Sequence, residues 1–408
     1  MVRPLIDAFY NDVRRAPDEG KLVAWCIEQA PFELLRAMDI SFVHLGNYAV
    51  RTSTRHAENQ FKAASEAQGF LPEICTYARI TAGLALLDKS GSEIENPEFL
   101  IPRPDLIIGT ASVCQNMGNW YEAISKLYDV PVFCLDIPIP YDKSNLNRDI
   151  DFMKSQINDL IGFLEMVSGH SLDWDRWREK MSLIRKASEL RHQISIMGKN
   201  IPAPISYFDL LSSMGVFNIL RGTQESVDYF TQLKDEVEDR VARGIGCIPD
   251  EKYRLAWDGL CMWYKIGDFS EKLASHRAVA VAGPYTHHAL YYEVDWIDPE
   301  YPLDTLAAAF YVKPQHTRHL LDDRINHMLR MIENYHLNGL IVHSSRTCRP
   351  WSIGEHDIID AVKQTLGIPC LMIDADHADP AYYNDYQVDS DLESFLEILE
   401  ASIGEKSH

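Results

Sequence analysis

The strongest constraint on the fold is a repeat. Leu106-Ile107-Ile108 is followed, eight positions after Leu106, by Cys114, then by an amphipathic stretch, Pro131 and, five residues on, Asp136. Leu340-Ile341-Val342 is followed at the same offset by Cys348, an amphipathic stretch, Pro369 and, five residues on, Asp374. A short unbroken apolar run ahead of a helical pattern is the signature of a parallel strand buried on both faces. The chain therefore reads as α/β, with two parallel-sheet domains related by an internal repeat. Each cysteine falls in the loop between a buried strand and the next helix.

Loops at the carboxyl ends of such strands are where open α/β sheets gather ligands and reacting groups. A cysteine just ahead of a helix feels the positive end of that helix, which favours the thiolate. An isolated cysteine is more often core filler. Filler has no reason to reappear at one offset in two copies, so Cys114 and Cys348 are read as functional.

A chain of 408 residues is too long for one core and divides into two or three domains. The pattern places a first α/β domain over 1–150, a helical connector over 151–245 and a second α/β domain over 246–408. Strands are expected near Leu22–Trp25, Ile40–His44, Leu106–Ile108, Val132–Ile137, Ala278–Ala282, Leu340–His343 and Leu371–Ile373. In the connector, Met153, Ile157, Leu160, Ile161, Leu164 and Val167 recur at helical spacing. A charged helix beginning around Lys234 reads as a solvated face.

No apolar run reaches the roughly 18–20 residues a membrane span needs, and the first fifteen residues lack a secretory apolar core, so a cytoplasmic protein with no membrane partner is expected. A net charge of −21 argues against nucleic acid, because phosphate binding needs a basic surface. Eight cysteines in so long a chain form no disulfide framework and point to free thiols or metal ligands. No Walker-type phosphate loop and no glycine fingerprint opens a helix after the first strand, which argues against ATP hydrolysis and ordinary NAD binding.

A third cysteine, Cys75 in Glu73-Ile74-Cys75-Thr76-Tyr77-Ala78-Arg79, has the same setting between a Gly-Phe-Leu-Pro turn and a helix. Three thiolates from separate loops suit a [4Fe–4S] cluster with one iron open. Zinc is the alternative, completed by His343, His356 or His377, and spacing alone does not separate the two.

The contexts E-I-C-T-Y-A-R, S-V-C-Q-N-M-G-N-W-Y-E and S-S-R-T-C-R-P-W-S resemble those of the 2-hydroxyacyl-CoA dehydratase and benzoyl-CoA reductase family. The resemblance covers nearly the whole chain, including Arg221-Gly222-Thr223, Glu251-Lys252-Tyr253-Arg254-Leu255 and Ile373-Asp374-Ala375-Asp376 with Asp379-Pro380. Asp298-Pro299, Pro302-Leu303 and Thr305-Leu306-Ala307 look closest to the reductase branch. The resemblance implies two Rossmann-like parallel-sheet domains with a helical connector, Cys75, Cys114 and Cys348 as ligands of a [4Fe–4S] cluster, an acyl-CoA substrate, a homologous second subunit in a heterodimer, and a separate ATP-hydrolysing iron–sulfur activator that injects single electrons. It implies a ketyl radical anion formed at the thioester carbonyl. That radical then expels a 2-hydroxyl group in a dehydratase, whereas a benzoyl-CoA reductase adds electrons and protons to the ring.

Two positions depart from the dehydratase pattern. Trp25-Cys26-Ile27-Glu28 lacks the small hydroxyl residue that dehydratases carry after the first strand's tryptophan, and Gly46-Asn47 lacks an acidic residue before the asparagine. Both count against dehydration of the usual substrates, and a non-catalytic cluster-bearing partner subunit is the further alternative. Glu28 is a candidate for moving a proton beside the cluster, and His287 in Tyr285-Thr286-His287-His288 is a candidate proton donor. Cys26, Cys134 and Cys370 read as core, Cys247 and Cys261 carry no motif, and Trp257, Trp263 and Tyr264 read as packing.

Overall fold

The computed structural model describes residues 2–27, 30–111, 114–138, 145–287, 294–314 and 320–406. The chain forms two compact units, one made of Met1–Glu189, Gly215–Tyr229 and Tyr291–Pro314, the other of Leu190–Met214, Phe230–Leu290 and Gln315–His408.

The first unit runs α1 (Val2–Arg15), β1 (Val23–Cys26), α2 (Phe32–Ala37), β2 (Ser41–His44), α3 (Leu45–Thr54), α4 (Asn59–Glu66), α5 (Thr76–Ser90), β3 (Leu106–Thr110), α6 (Gln115–Tyr128), β4 (Val132–Leu135), α7 (Leu146–Ser168) and the start of α8 (Trp174–Met197). Its four strands are all parallel, in the order β2-β1-β3-β4. Val23, Ala24, Leu106, Ile107 and Ile108 are wholly buried, as strands covered on both faces must be. Glu33 and Arg221 form a buried ion pair, Nε to Oε2 2.9 Å, and Arg221 also donates to the carbonyl of Ala30 at 2.9 Å, fixing the chain just after β1.

Further along come α9 (Tyr207–Ile219), α10 (Gln224–Arg243), β5 (Tyr253–Asp258), α11 (Ile266–Ser275), β6 (Ala278–Ala282), α12 (Pro284–His287), α13 (Pro302–Pro314), α14 (Leu321–Asn334), β7 (Gly339–Ser345), α15 (Arg349–Ser352), α16 (Glu355–Leu366), β8 (Cys370–Ala375) and α17 (Asp385–Lys406). Helix α13 belongs to the first unit, where it packs on α7 through a hydrogen bond from Tyr311 to Asp149 at 2.9 Å. The second sheet is again parallel, in the order β6-β5-β7-β8. Its core joins Ala256, Val281, Leu340 and Val342 to Met328, Ile358 and Val362 of α14 and α16.

The two sheets share one strand order, with β3 and β4 matching β7 and β8, so the repeat is real in three dimensions. Strand β5, the partner of both β6 and β7, is absent from the sequence expectations. It reads Tyr-Arg-Leu-Ala-Trp-Asp, and its Arg254 breaks the apolar run. That arginine is nonetheless buried, donating to Glu251 at 2.6 Å and to the carbonyls of Gly198 at 2.8 Å, Asn200 at 3.1 Å and Tyr335 at 3.1 Å. Helix α10 begins ten residues before the charged stretch that marks it in sequence. Cys134 is corrected from core to surface: β4 is the edge strand, and Val132 and Cys134 lie on its exposed side. Cys26 is fully buried as expected, and Cys370 is partly buried.

Candidate functional site

In both sheets the strand order reverses beside the first strand, between β1 and β3 and between β5 and β7. The crevice outside the carboxyl ends at such a reversal is where open α/β folds bind ligands. Cys114 follows β3 in the first unit, and Gly259 and Cys348 follow β5 and β7 in the second. Glu28 lies outside the described residues.

Cys114 directly precedes α6, in extended conformation (φ −158°, ψ 154°). The end of β3 beneath it is held by Tyr121, whose hydroxyl accepts from the Thr110 amide at 2.8 Å and donates to the Thr110 carbonyl at 3.2 Å. The ring lies so close to Gly109 that a Cβ there would sit 2.0 Å from it, which explains why β3 carries glycine at that point.

Cys75 directly precedes α5, and α5 packs against α6. Arg79, buried in the first turn of α5, donates to Glu66 at 2.6 Å, to the Ile74 carbonyl at 3.2 Å and to Thr76 Oγ1 at 3.0 Å, fastening the cysteine loop to α4. Neither α5 nor α6 has an acidic residue in its first turn. Each of these cysteines therefore stands at the positive end of a helix with no first-turn carboxylate set against it.

Cys348 precedes the four-residue α15, and Gly354 (φ +85°) then opens α16, so the second copy inserts a short helix where the first has none. This loop is braced by residues to which sequence alone assigned no role. Asp376, fully buried after β8, accepts from Thr347 Oγ1 at 2.5 Å and Thr347 N at 3.3 Å with one oxygen, and from the amides of Ala378 and Asp379 at 2.9 and 3.0 Å with the other. Ser352 donates to the carbonyls of Ser345 and Cys348. Beneath the loop, Gly259 (φ +88°) approaches the His343 carbonyl so closely that a Cβ would lie 2.4 Å from it.

Of the histidines considered for zinc, His343 gives Nδ1 to the Leu260 carbonyl at 2.6 Å and burial lowers its pKa to about 4, while His377 pairs with Ser345 at 2.8 Å. Among the described residues no group of three or more His, Cys, Asp and Glu is arranged to hold a metal ion. Cys75, Cys114 and Cys348 are partly buried thiols outside any disulfide, each directly ahead of a helix, and thiols of this kind fit an iron–sulfur cluster.

His287 is the last residue of α12, the short helix that follows β6, with Nδ1 3.1 Å from the Gly283 carbonyl and 2.8 Å from Thr286 Oγ1, and its ring edge-on to Tyr335. A carbonyl only accepts, so the Gly283 contact places the proton on Nδ1. Burial, reinforced by Arg191, lowers its pKa to about 3, so the ring is neutral at physiological pH. Trp351 of the cysteine loop packs edge-on to Tyr285, which in turn meets Trp263, making an apolar wall beside Cys348. The described residues contain no helix long and apolar enough to cross a membrane.

A family model described as 2-hydroxyglutaryl-CoA dehydratase, D-component, matches residues 28–399. Similar proteins include the (R)-phenyllactyl-CoA dehydratase alpha subunit of Clostridium sporogenes, 28% identical over 95% of this chain and 91% of that one. The (R)-2-hydroxyisocaproyl-CoA dehydratase alpha subunit of Clostridioides difficile is 26% identical over 98% and 95%. A benzoyl-CoA reductase subunit of Thauera aromatica is 28% identical over 98% and 93%.

Proposed function

Because the chain belongs to the 2-hydroxyglutaryl-CoA dehydratase D-component family, we propose that it is the iron–sulfur subunit of an enzyme doing one-electron chemistry on acyl-CoA thioesters, ring reduction of the benzoyl-CoA reductase kind being favoured. The observation that carries this reading is the family match together with three cysteines in helix-opening loops, two of them at equivalent places in duplicated sheets. Cys75, Cys114 and Cys348 would hold a [4Fe–4S] cluster, which when bound supplies single electrons at low potential.

The chain's own residues do the rest. Asp376, Thr347 and Ser352 fix the Cys348 loop, and Arg79 fixes the Cys75 loop. Trp351, Tyr285 and Trp263 keep water from the crevice edge. His287 acts as a neutral ring with its proton on Nδ1, and Glu28 handles a proton. The relatives are each named as one subunit of an enzyme, which supports a multi-subunit assembly, here a heterodimer with a homologous chain. The absence of phosphate-loop motifs in the sequence leaves ATP hydrolysis to a separate iron–sulfur activator, in the cytoplasm.

Dehydration of a 2-hydroxyacyl-CoA is the second reading, favoured by the dehydratase relatives at equal identity. Anaerobic purification with iron and sulfide analysis and electron paramagnetic resonance tests the cluster. Full occupancy and activity in Ser variants of Cys75, Cys114 and Cys348 would overturn the ligand set. Turnover of benzoyl-CoA against a panel of 2-hydroxyacyl-CoA thioesters, with activator, separates the two readings.

A further inference from the structure

Below the Cys348 loop lies a second group of ionisable side chains that the proposed chemistry does not use. Asp258 ends β5, Arg324 projects from α14, and Glu355 is the first residue of α16; all three are buried. Arg324 donates to the carbonyl of Ile353 at 2.6 Å and of Trp351 at 3.2 Å, so one guanidinium ties the segment after Cys348 to α14. It faces Asp258 at 3.7 Å, an ion pair without a hydrogen bond. Asp258 Oδ2 and Glu355 Oε1 are buried oxygens without a hydrogen-bond partner. A cavity of about 10 Å³, enough for one water, lies among Asp258, Arg324, His327 and Trp351.

Arg324 thus holds Asp258 on one side and, on the other, the turn at Ile353 that leads two residues later into the buried Glu355. We propose that Glu355 is a proton-dependent latch on the Cys348 loop: while its carboxyl is protonated, Arg324 answers to Asp258 alone and keeps its bonds to Trp351 and Ile353. When the proton leaves, a second buried anion competes for Arg324 and the loop loosens.

The charges around Glu355 point the same way. Burial pushes its pKa up to about 8, with Asp258 on β5 and Asp374 on β8 adding to the rise, while the bond to Ser344 on β7 and Arg324 on α14 oppose it. His327, also on α14, lines the cavity with Asp258 and Arg324. The N-terminal field of α16 favours the anion, but a first-turn position contributes at most about 1.5 pH units. It does not reverse the effect of burial. The latch is a property of the loop and holds whatever Cys348 binds.

Hydrogen–deuterium exchange of 346–356 in the full chain, corrected for intrinsic rates across a pH series, tests it. Protection in the parent protein should fall about tenfold as pH rises through the Glu355 titration, and Glu355→Gln, which cannot ionise, should stay flat. Asp258→Asn removes a neighbouring carboxylate that helps hold the proton on Glu355, so the fall should move to lower pH. Matching profiles for the parent and Glu355→Gln, or no movement in Asp258→Asn, would overturn the proposal.

Discussion

The Glu33–Arg221 pair offers a stringent test of how the first crevice is built. Both side chains are essentially inaccessible, Nε stands 2.9 Å from Oε2, and the guanidinium also donates to Ala30 and covers the ring of Phe32 at 5.1 Å. At an effective dielectric near 20, two unit charges at that distance attract by about 6 kcal/mol. Desolvating them costs several kcal/mol each, so the pair's net worth against an apolar replacement is small. Removing one member is different, because it strands the other charge. Glu33→Leu and Arg221→Met should each cost about 3–5 kcal/mol, whereas the double variant should lie within ~2 kcal/mol of the parent. The resulting coupling energy is on the order of 6 kcal/mol. Thermal melting gives the global effect, and native-state exchange of the amides in β1 and α2 gives the local one. Single variants that cost under about 1 kcal/mol, or a double variant no better than the worse single, would refute the argument.

Three further outcomes follow from the same geometry. Glu355 has a folded pKa of about 8 against an ordinary value of 4.5, so the stability it contributes is complete below pH ~4.5 and fades as pH rises to about 8; at ~1.4 kcal/mol per unit, Glu355→Gln should gain up to about 5 kcal/mol on the parent across that window in urea titrations, and parallel pH profiles would contradict this. Tyr121→Phe strands the buried Thr110 amide and should cost about 1–3 kcal/mol while raising the alkylation rate of Cys114, both measurable in one preparation. Thr347→Val removes a charge-assisted bond to Asp376 and should cost about 1.5–3 kcal/mol, with Thr347→Ser restoring most of it; equal melting of the two variants would show that the hydroxyl does not matter.

The sequence made the duplicated sheets legible because their strands, such as Ala278–Ala282 and Leu340–Val342, are apolar throughout, and burial on both faces demands that. It hid β5, because Arg254 looks like a surface residue until Gly198, Asn200 and Tyr335 converge on it from distant positions. Cys134 misled for the opposite reason: an apolar-looking run at a sheet edge has one face in solvent. At the site, cysteines announced themselves by recurrence. Asp376 was visible only as part of an Ile-Asp-Ala-Asp motif, and its brace on Thr347 exists only across the sheet edge. Glu355 resembles any first-turn acid in sequence. What sets it apart is Asp258, ninety-seven positions away, and that proximity has no linear signature.

The interleaving of the two units along the chain governs how the protein is born. Tyr311 must reach Asp149 to close α13 onto α7, and the first unit takes in residues as late as 314, so ribosomal synthesis cannot deliver a finished amino-terminal half early. Until α13 emerges, the part of α7 that it covers lacks its native partner, so the first unit completes its packing only after much of the second has been made.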